Sequence, residues 1–242
     1  MKENFGDLIE LESLEILISF QIDDLQFHQL SYYIEEKLQY LKDLISLKLK
    51  IMDSTLSTLN LYKICSNLPK NLQNLKLIII SQRELTLEGI FPHSQFKDLE
   101  KLKIWIKAPN NPLIKINQLY NNLKCLTLSF SSLFSDENFN LSLKNLQKVE
   151  TLINEDNEKN IEKLFKNNQC IRSLKLTFLN TKSSGNLLKY MKDLKVLKKL
   201  QISFDEKVEF SSYILMEILA IFLDKDSEPF QDLLTFKLQI PK

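Results

Sequence analysis

Side chains able to do covalent chemistry are few in this sequence. It has two histidines, His28 and His93, and three cysteines, Cys65, Cys125 and Cys170. A Ser/His/Asp or Cys/His relay needs a base within reach of a nucleophile, and no such set can be read from these positions. The thiols are too scattered for a zinc motif or a disulfide framework. With only three glycines, a Gly-rich phosphate loop is excluded by inventory. No EF-hand-type loop occurs. Acidic pairs such as Asp23/Asp24 and Glu35/Glu36 read as solvated ends or faces. No cofactor, metal or catalytic residue is expected, and catalysis is not the expected activity.

What remains is charge and shape. Lysine supplies nearly all the basic residues, arginine occurring only at Arg83 and Arg172, and the net charge is +1. That balance gives no global pull toward nucleic acid or a membrane. Certain lysines nevertheless recur at one phase of a repeating pattern. Among them are Lys48, Lys50, Lys76, Lys101, Lys103, Lys148, Lys175 and Lys199, accompanied by Ile78 and the single tryptophan, Trp105. Such a set would attract an acidic partner and grip it through an apolar anchor.

The element that positions these residues is a hexad, Leu-x-x-Leu-x-Leu or a close apolar substitute. Copies begin at Leu11, Leu44, Leu72, Leu99, Leu123, Leu146, Ile171, Leu197 and Leu233, spaced 23 to 36 residues apart. A period in this range is the mark of a solenoid, which offers a long open surface rather than a pocket. On a strand, residues two apart share a face. The second and third apolar positions therefore point into the core, and the residues at +2, +4 and +6 from each first position point out. Nine of these 27 outward positions are lysine and two, Glu15 and Glu150, are acidic. The alternative explanation is an ordinary solvated face in a Lys-rich chain. Trp105 faces outward near Ile78 in this register. A slip over Lys103–Ile106 would instead pack it under the following loop. The sixth copy is degenerate, Leu146/Val149/Thr151, and a local shift would put Leu152 in the third core slot. Phe130, Phe178 and Phe204 are expected to be buried against the next turn.

Between the hexads, helical periodicity appears over residues 25–41, 54–68, 157–168, 184–194 and 210–224. Pro92, Pro109 and Pro112 interrupt 82–98 and 105–122, where loops are expected. Strand, crossover and strand in repetition imply parallel strands. The pattern resembles the leucine-rich-repeat family, in its longer ribonuclease-inhibitor-like form, over about residues 8 to 240. The resemblance implies an α/β leucine-rich-repeat solenoid of about nine repeats, occupying residues 1–242 as a single domain. Its shape would be a curved horseshoe with the parallel sheet on the concave side and helices and loops on the convex side. It also implies protein recognition as the role. One column departs from the family. Where Asn or Cys usually stands, this chain has Ser19, Met52, Ile80, Lys107, Ser131, Asn154, Leu179 and Asp205. Their turn backbones need other partners, so the curvature is expected to be irregular.

The expectation is therefore a non-catalytic binding or scaffold module that takes a protein partner, an acidic one, on its concave sheet. Alternatives are a structural subunit of a large assembly, an RNA binder and a ubiquitin-ligase substrate receptor. Scarce arginine and the lack of a concave aromatic row disfavour RNA. No helix follows the last hexad, so a partner or dimer contact is expected at that uncovered edge. The apolar stretch at 213–223 is too short to span a bilayer, and the start lacks a signal-peptide core. No membrane contact and an intracellular location, cytoplasmic or nuclear, are expected. The sequon at Asn140 would then be unused.

Overall fold

The computed structural model describes residues 11–18, 32, 36, 38, 41, 43–52, 58–85, 96–107, 122–129, 143–155, 157–180, 191, 194–206, 208, 216, 220 and 232–240. The chain divides into two compact units, Met1–Leu123 and Lys124–Lys242. The first holds β1 (Ser13–Ile18), β2 (Ser46–Met52), β3 (Asn74–Ile80) and β4 (Lys101–Lys107). The second holds β5 (Cys125–Ser129), β6 (Lys148–Ile153), β7 (Ser173–Phe178), β8 (Lys199–Phe204) and β9 (Thr235–Gln239). Within each unit, strands consecutive in sequence pair in parallel. Every hexad thus supplies one strand, and the fold is a repeat array of parallel strands.

Period-two burial makes these strands. In β2, Leu47, Leu49 and Ile51 are buried while Ser46, Lys48 and Lys50 are not. β3 and β4 repeat the alternation with Leu75/Leu77/Ile79 and Leu102/Ile104/Ile106. Burying each such side chain stabilises by roughly 1.5–3 kcal/mol. One backbone device recurs at the entry to the strands. Two successive N–H groups donate to a single carbonyl of the preceding copy: Ile45 and Ser46 to Glu12, Gln73 and Asn74 to Ile45, and Glu100 and Lys101 to Gln73. In the second unit the same pair of bonds reaches Lys124, Gln147, Arg172 and Lys198. The strands enter in step, so equal positions of the hexad lie opposite each other.

The covering helices repeat one another as well. In α1 (Thr58–Ser66), Leu61, Ile64 and Cys65 are buried, and Leu68 follows a turn later. In α2 (Glu158–Asn167), Ile161, Leu164 and Phe165 are buried, followed by Asn168. The i, i+3, i+4, i+7 spacing gives each helix one apolar stripe. Leu59 and Tyr62 lie on the exposed side of α1. Both helices match the expected periodic segments. Of 25–41, Tyr32, Glu36 and Leu38 are helical. Most of 184–194 and 210–224, the loops around Pro92, Pro109 and Pro112, and Phe130 lie outside the described residues. No helix among the described residues is long and apolar enough to cross a membrane.

Two core details differ from the pattern read in the sequence. At the degenerate copy the strand does not shift. Thr151 takes the third core slot at 6% exposure, opposite Leu176, while Leu152 lies opposite Thr177. Its hydroxyl donates to the Leu152 carbonyl at 3.2 Å, so the polar group is satisfied within the core. Before the hexads, a second apolar column sits three residues upstream: Leu41, Phe96, Leu143 and Leu194 are all buried. Their carbonyls accept from the first hexad residue, as in Leu146 N–H to Leu143 O at 2.9 Å. Asn168 occupies this column ahead of Ile171. Its Oδ1 accepts from Leu143 N–H at 2.6 Å and its Nδ2 donates to Leu164 O at 2.7 Å. Phe178 and Phe204 are buried and stack with centroids 5.4 Å apart.

In the turn column, backbone carbonyls serve two of the described positions. Leu179 N–H donates to Ile153 O at 2.8 Å, and Asp205 N–H to Phe178 O at 2.9 Å. At Asn154, side chains do the work. Asn154 Oδ1 accepts from Asn157 N–H, Asn157 Oδ1 accepts from Asn154 N–H, and Asn157 Nδ2 donates to Leu152 O.

Candidate functional site

The alternation that buries one face of each sheet exposes the other, and the in-step register arranges that face into rows. In the first unit the +4 row runs Glu15, Lys48, Lys76, Lys103 across β1 to β4. The next row runs Leu17, Lys50, Ile78, Trp105. Beyond it stand Met52, Ile80 and Lys107, and before it Ser13, Ser46, Asn74 and Lys101. Neighbouring strands are about 4.8 Å apart. Three lysines therefore stand on adjacent strands within about 10 Å. Trp105 is partly exposed on the lysine side, directly opposite Ile78, and Ile104 and Ile106 are buried on the other side. No slip of register occurs at β4.

Electrostatically this row is crowded. The Lys48 ammonium forms an ion pair with Glu15 at 2.5 Å. Among the described residues, no carboxylate pairs with Lys76 or Lys103. Partial burial, then the neighbouring charges of Lys48 and Lys103, push Lys76 below the ordinary lysine value, while Glu15 pulls the other way. Like charges directly opposite on paired strands are destabilising, so a carboxylate brought to this row would relieve the strain. The row beside it is open to solvent at its β1 end, where Leu17 is 56% exposed, and in the row beyond Met52 is 37% exposed.

The second unit arranges the same hexad positions differently. Its +4 row is Thr127, Glu150, Lys175, Gln201, Lys237. Glu150 pairs with Lys148 at 2.9 Å and lies 3.4 Å from the Thr127 hydroxyl. In the third row, Thr177 and Ser203 hydroxyls bond at 2.8 Å, and Ser203 also donates to Leu176 O. Lys148 and Lys199 are exposed and Lys175 is partly covered. The face is polar and much of it is bonded to itself. The ten residues singled out from the sequence thus fall into two groups. Lys48, Lys50, Lys76, Ile78, Lys101, Lys103 and Trp105 lie together on the first unit's face. Lys148, Lys175 and Lys199 lie on the second unit's face, where an acid already stands among them.

Sequence reasoning passed over part of this surface. Leu17, Met52 and Ile80 complete an apolar margin beside the lysines. Their signal was available, because apolar residues at outward positions of a strand have no core to fill. A separate apolar surface occurs at β9. Phe236 stands opposite buried Leu200 yet is 36% exposed, and Leu234 is 76% exposed. Among the described residues, no group of three or more His, Cys, Asp and Glu side chains could hold a metal ion. Cys65, Cys125 and Cys170 are free thiols. A scan against protein-family models and a search of curated proteins return no match for this chain.

Proposed function

We propose that this chain is a non-catalytic recognition module of leucine-rich-repeat type that binds an acidic protein partner on the open face of its sheet. The observation that carries the reading is the juxtaposition of the Lys48–Lys76–Lys103 row with the apolar row containing Leu17, Ile78 and Trp105. Desolvated aromatic anchors give affinity, and complementary charge gives partner choice and association rate. We put the seat on the first unit, because beyond the Glu15–Lys48 pair its row continues with Lys76 and Lys103 on successive strands, whereas in the second unit Glu150, paired with Lys148, stands beside Lys175. The test is binding of the native partner, isolated on the tagged chain, to purified Lys76→Glu and Trp105→Ala variants with circular dichroism as a fold control. Loss of binding at least tenfold in both, with the fold intact, is expected. Unchanged binding in both would remove the face from consideration.

A second reading, a structural subunit of a larger assembly, is favoured by the apolar side chains exposed at β9, Leu234, Phe236 and Ile240. Exposed apolar groups in the core register of a strand invite a covering surface. Sedimentation of the isolated chain and of a Phe236→Lys variant tests it. Self-association or aggregation that the substitution relieves supports this reading, and a monomer in both cases opposes it.

A further inference from the structure

We propose that the segment seated on the first unit is an amphipathic helix of the partner. It lies across the strands with a carboxylate stripe over Lys76 and Lys103 and a neighbouring apolar stripe over Ile78 and Trp105. This rests on the recognition reading above and adds the conformation and residue pattern of the occupant.

The argument starts from the direction of the rows. Charge and apolar character do not run along individual strands. β2, β3 and β4 each carry a lysine at +4, and two residues further the row becomes largely apolar. A partner matched to this face must present two parallel stripes side by side, both running across the strands. The stripes are separated by two strand residues, about 6.6 Å. An extended peptide turns alternate side chains to opposite sides, so it shows the sheet a single row. Laid flat it satisfies one row; laid on edge its side chains on either side recur every ~6.6 Å, out of step with the strand gap of ~4.8 Å. A helix is about 10 Å wide with its side chains and covers both.

The repeat distances agree. Residues i and i+3 of a helix are separated by a rise of about 4.5 Å, and i and i+7 by about 10.5 Å. One strand gap is about 4.8 Å and two are about 9.6 Å. Acids at i, i+3 and i+7 therefore stand over three consecutive strands. Glu15 at the β1 end already holds Lys48, so Lys76 and Lys103 present the stronger demand for carboxylate. The row also reads acid, base, base, base from β1 to β4, which gives the seated helix a direction. A partner cation belongs over Glu15 and the acids belong over β3 and β4. Lys50 interrupts the apolar row. Its methylene stem can pack beside Leu17 and Ile78 with the ammonium at the rim.

The chain provides its own reporter, because Trp105 is its only tryptophan. The probes are two synthetic peptides of identical composition. One carries Glu at i, i+3 and i+7 with leucines on the adjoining stripe. The other alternates Glu and Leu with a period of two. Each is titrated into the full chain while Trp105 emission is followed. Saturable binding of the helical isomer, with a blue-shifted emission and at least tenfold higher affinity than the alternating isomer, is expected. Lys76→Glu/Lys103→Glu should abolish this, and a peptide with Lys at the matching two positions should restore it to the double variant. If the alternating isomer binds as tightly as the helical one, and the double variant still abolishes binding, the helix falls while the recognition reading stands. If neither peptide perturbs Trp105, or binding ignores the double variant, the recognition reading falls with it. Tighter binding of poly-uridylate than of the helical peptide at equal salt would also overturn the assignment, giving the lysine row to nucleic acid.

Discussion

Asn168 provides the sharpest test of how the repeats are joined. It sits at 3% exposure in a column whose other described members are apolar, and it matches Leu68 of the α1 repeat. Pattern alone therefore recommends Asn168→Leu as a stabilising change. The hydrogen bonds argue the opposite. Asn168 N–H turns aside to Phe165 O at 3.2 Å, so Nδ2 serves Leu164 O, the carbonyl that a continued helix would have assigned to that N–H. Oδ1 accepts Leu143 N–H from the preceding copy, and Leu143 is itself buried. Leucine would leave both backbone groups without these partners, at about 1–3 kcal/mol each. Fully burying its side chain returns about 1.5–3 kcal/mol at most. The net expectation is a loss of about 2 kcal/mol, with Asn168→Ala worse because it also opens a cavity. Urea unfolding measures the change. Amide hydrogen exchange localises it, since the Leu143 N–H should lose protection before amides at the centre of β8. Asn168→Leu with a midpoint equal to or above that of the parent would refute the reasoning.

Four further outcomes follow from the packing and electrostatics of the fold. Burial pushes the Cys65 thiol up to about 12, so thiol reagents at pH 8 should label exposed Cys170 and leave Cys65 untouched until the chain unfolds. A thiol whose pKa is raised on folding contributes stability that is full below its unfolded value and is lost as pH climbs from about 9 toward 12. Cys65→Ala should flatten this alkaline decline, and an unchanged slope would oppose the assignment. Lys76→Glu should raise stability by up to about 1 kcal/mol by placing an acid between two lysines, an effect that shrinks with added salt. Melting curves at low and high ionic strength would expose the error if the variant were less stable. Phe178→Ala, which removes a fully buried ring stacked on Phe204, should lower stability by about 3–5 kcal/mol, read as a shift of the urea midpoint. A loss below about 1 kcal/mol would mean that the stack is not part of the core.

The strand register was legible because a parallel ladder leaves little freedom. Shifting one strand by one residue would exchange its two faces. Val149 and Thr151 are therefore held opposite Leu174 and Leu176, and one threonine in a leucine slot is too small a penalty to move a strand. Reading that threonine as a reason for a shift to Leu152 gave one residue's hydrophobicity too much weight against the register of its neighbours. The same rigidity placed Trp105 correctly opposite Ile78. Other features were not legible, for physical reasons. The column containing Leu143 and Asn168 lies before the hexad, where irregular crossovers hide its phase. Asn168 looks like any surface asparagine until its two bonds are seen. Whether a lysine meets a carboxylate depends on side-chain conformation, so Lys148 and Lys76 looked alike in sequence. Their surroundings differ, since Lys148 pairs with Glu150 and Lys76 stands between two lysines.

That difference bears on function. A sheet face selected only for solubility intersperses charges of opposite sign, because cross-strand pairs of opposite charge stabilise and like pairs destabilise by roughly 0.2–1 kcal/mol. The second unit follows this rule, with Glu150 between Thr127 and Lys175. The first unit departs from it at three successive strands and sets exposed aliphatic side chains and the only tryptophan alongside. Each departure is small. They coincide on one face, in two adjacent rows, within four strands. Local choices that oppose folding are expected where a site makes its own demands. A general excess of lysine does not account for the apolar row. An acidic and apolar partner accounts for both rows together, since it would neutralise the first and cover the second.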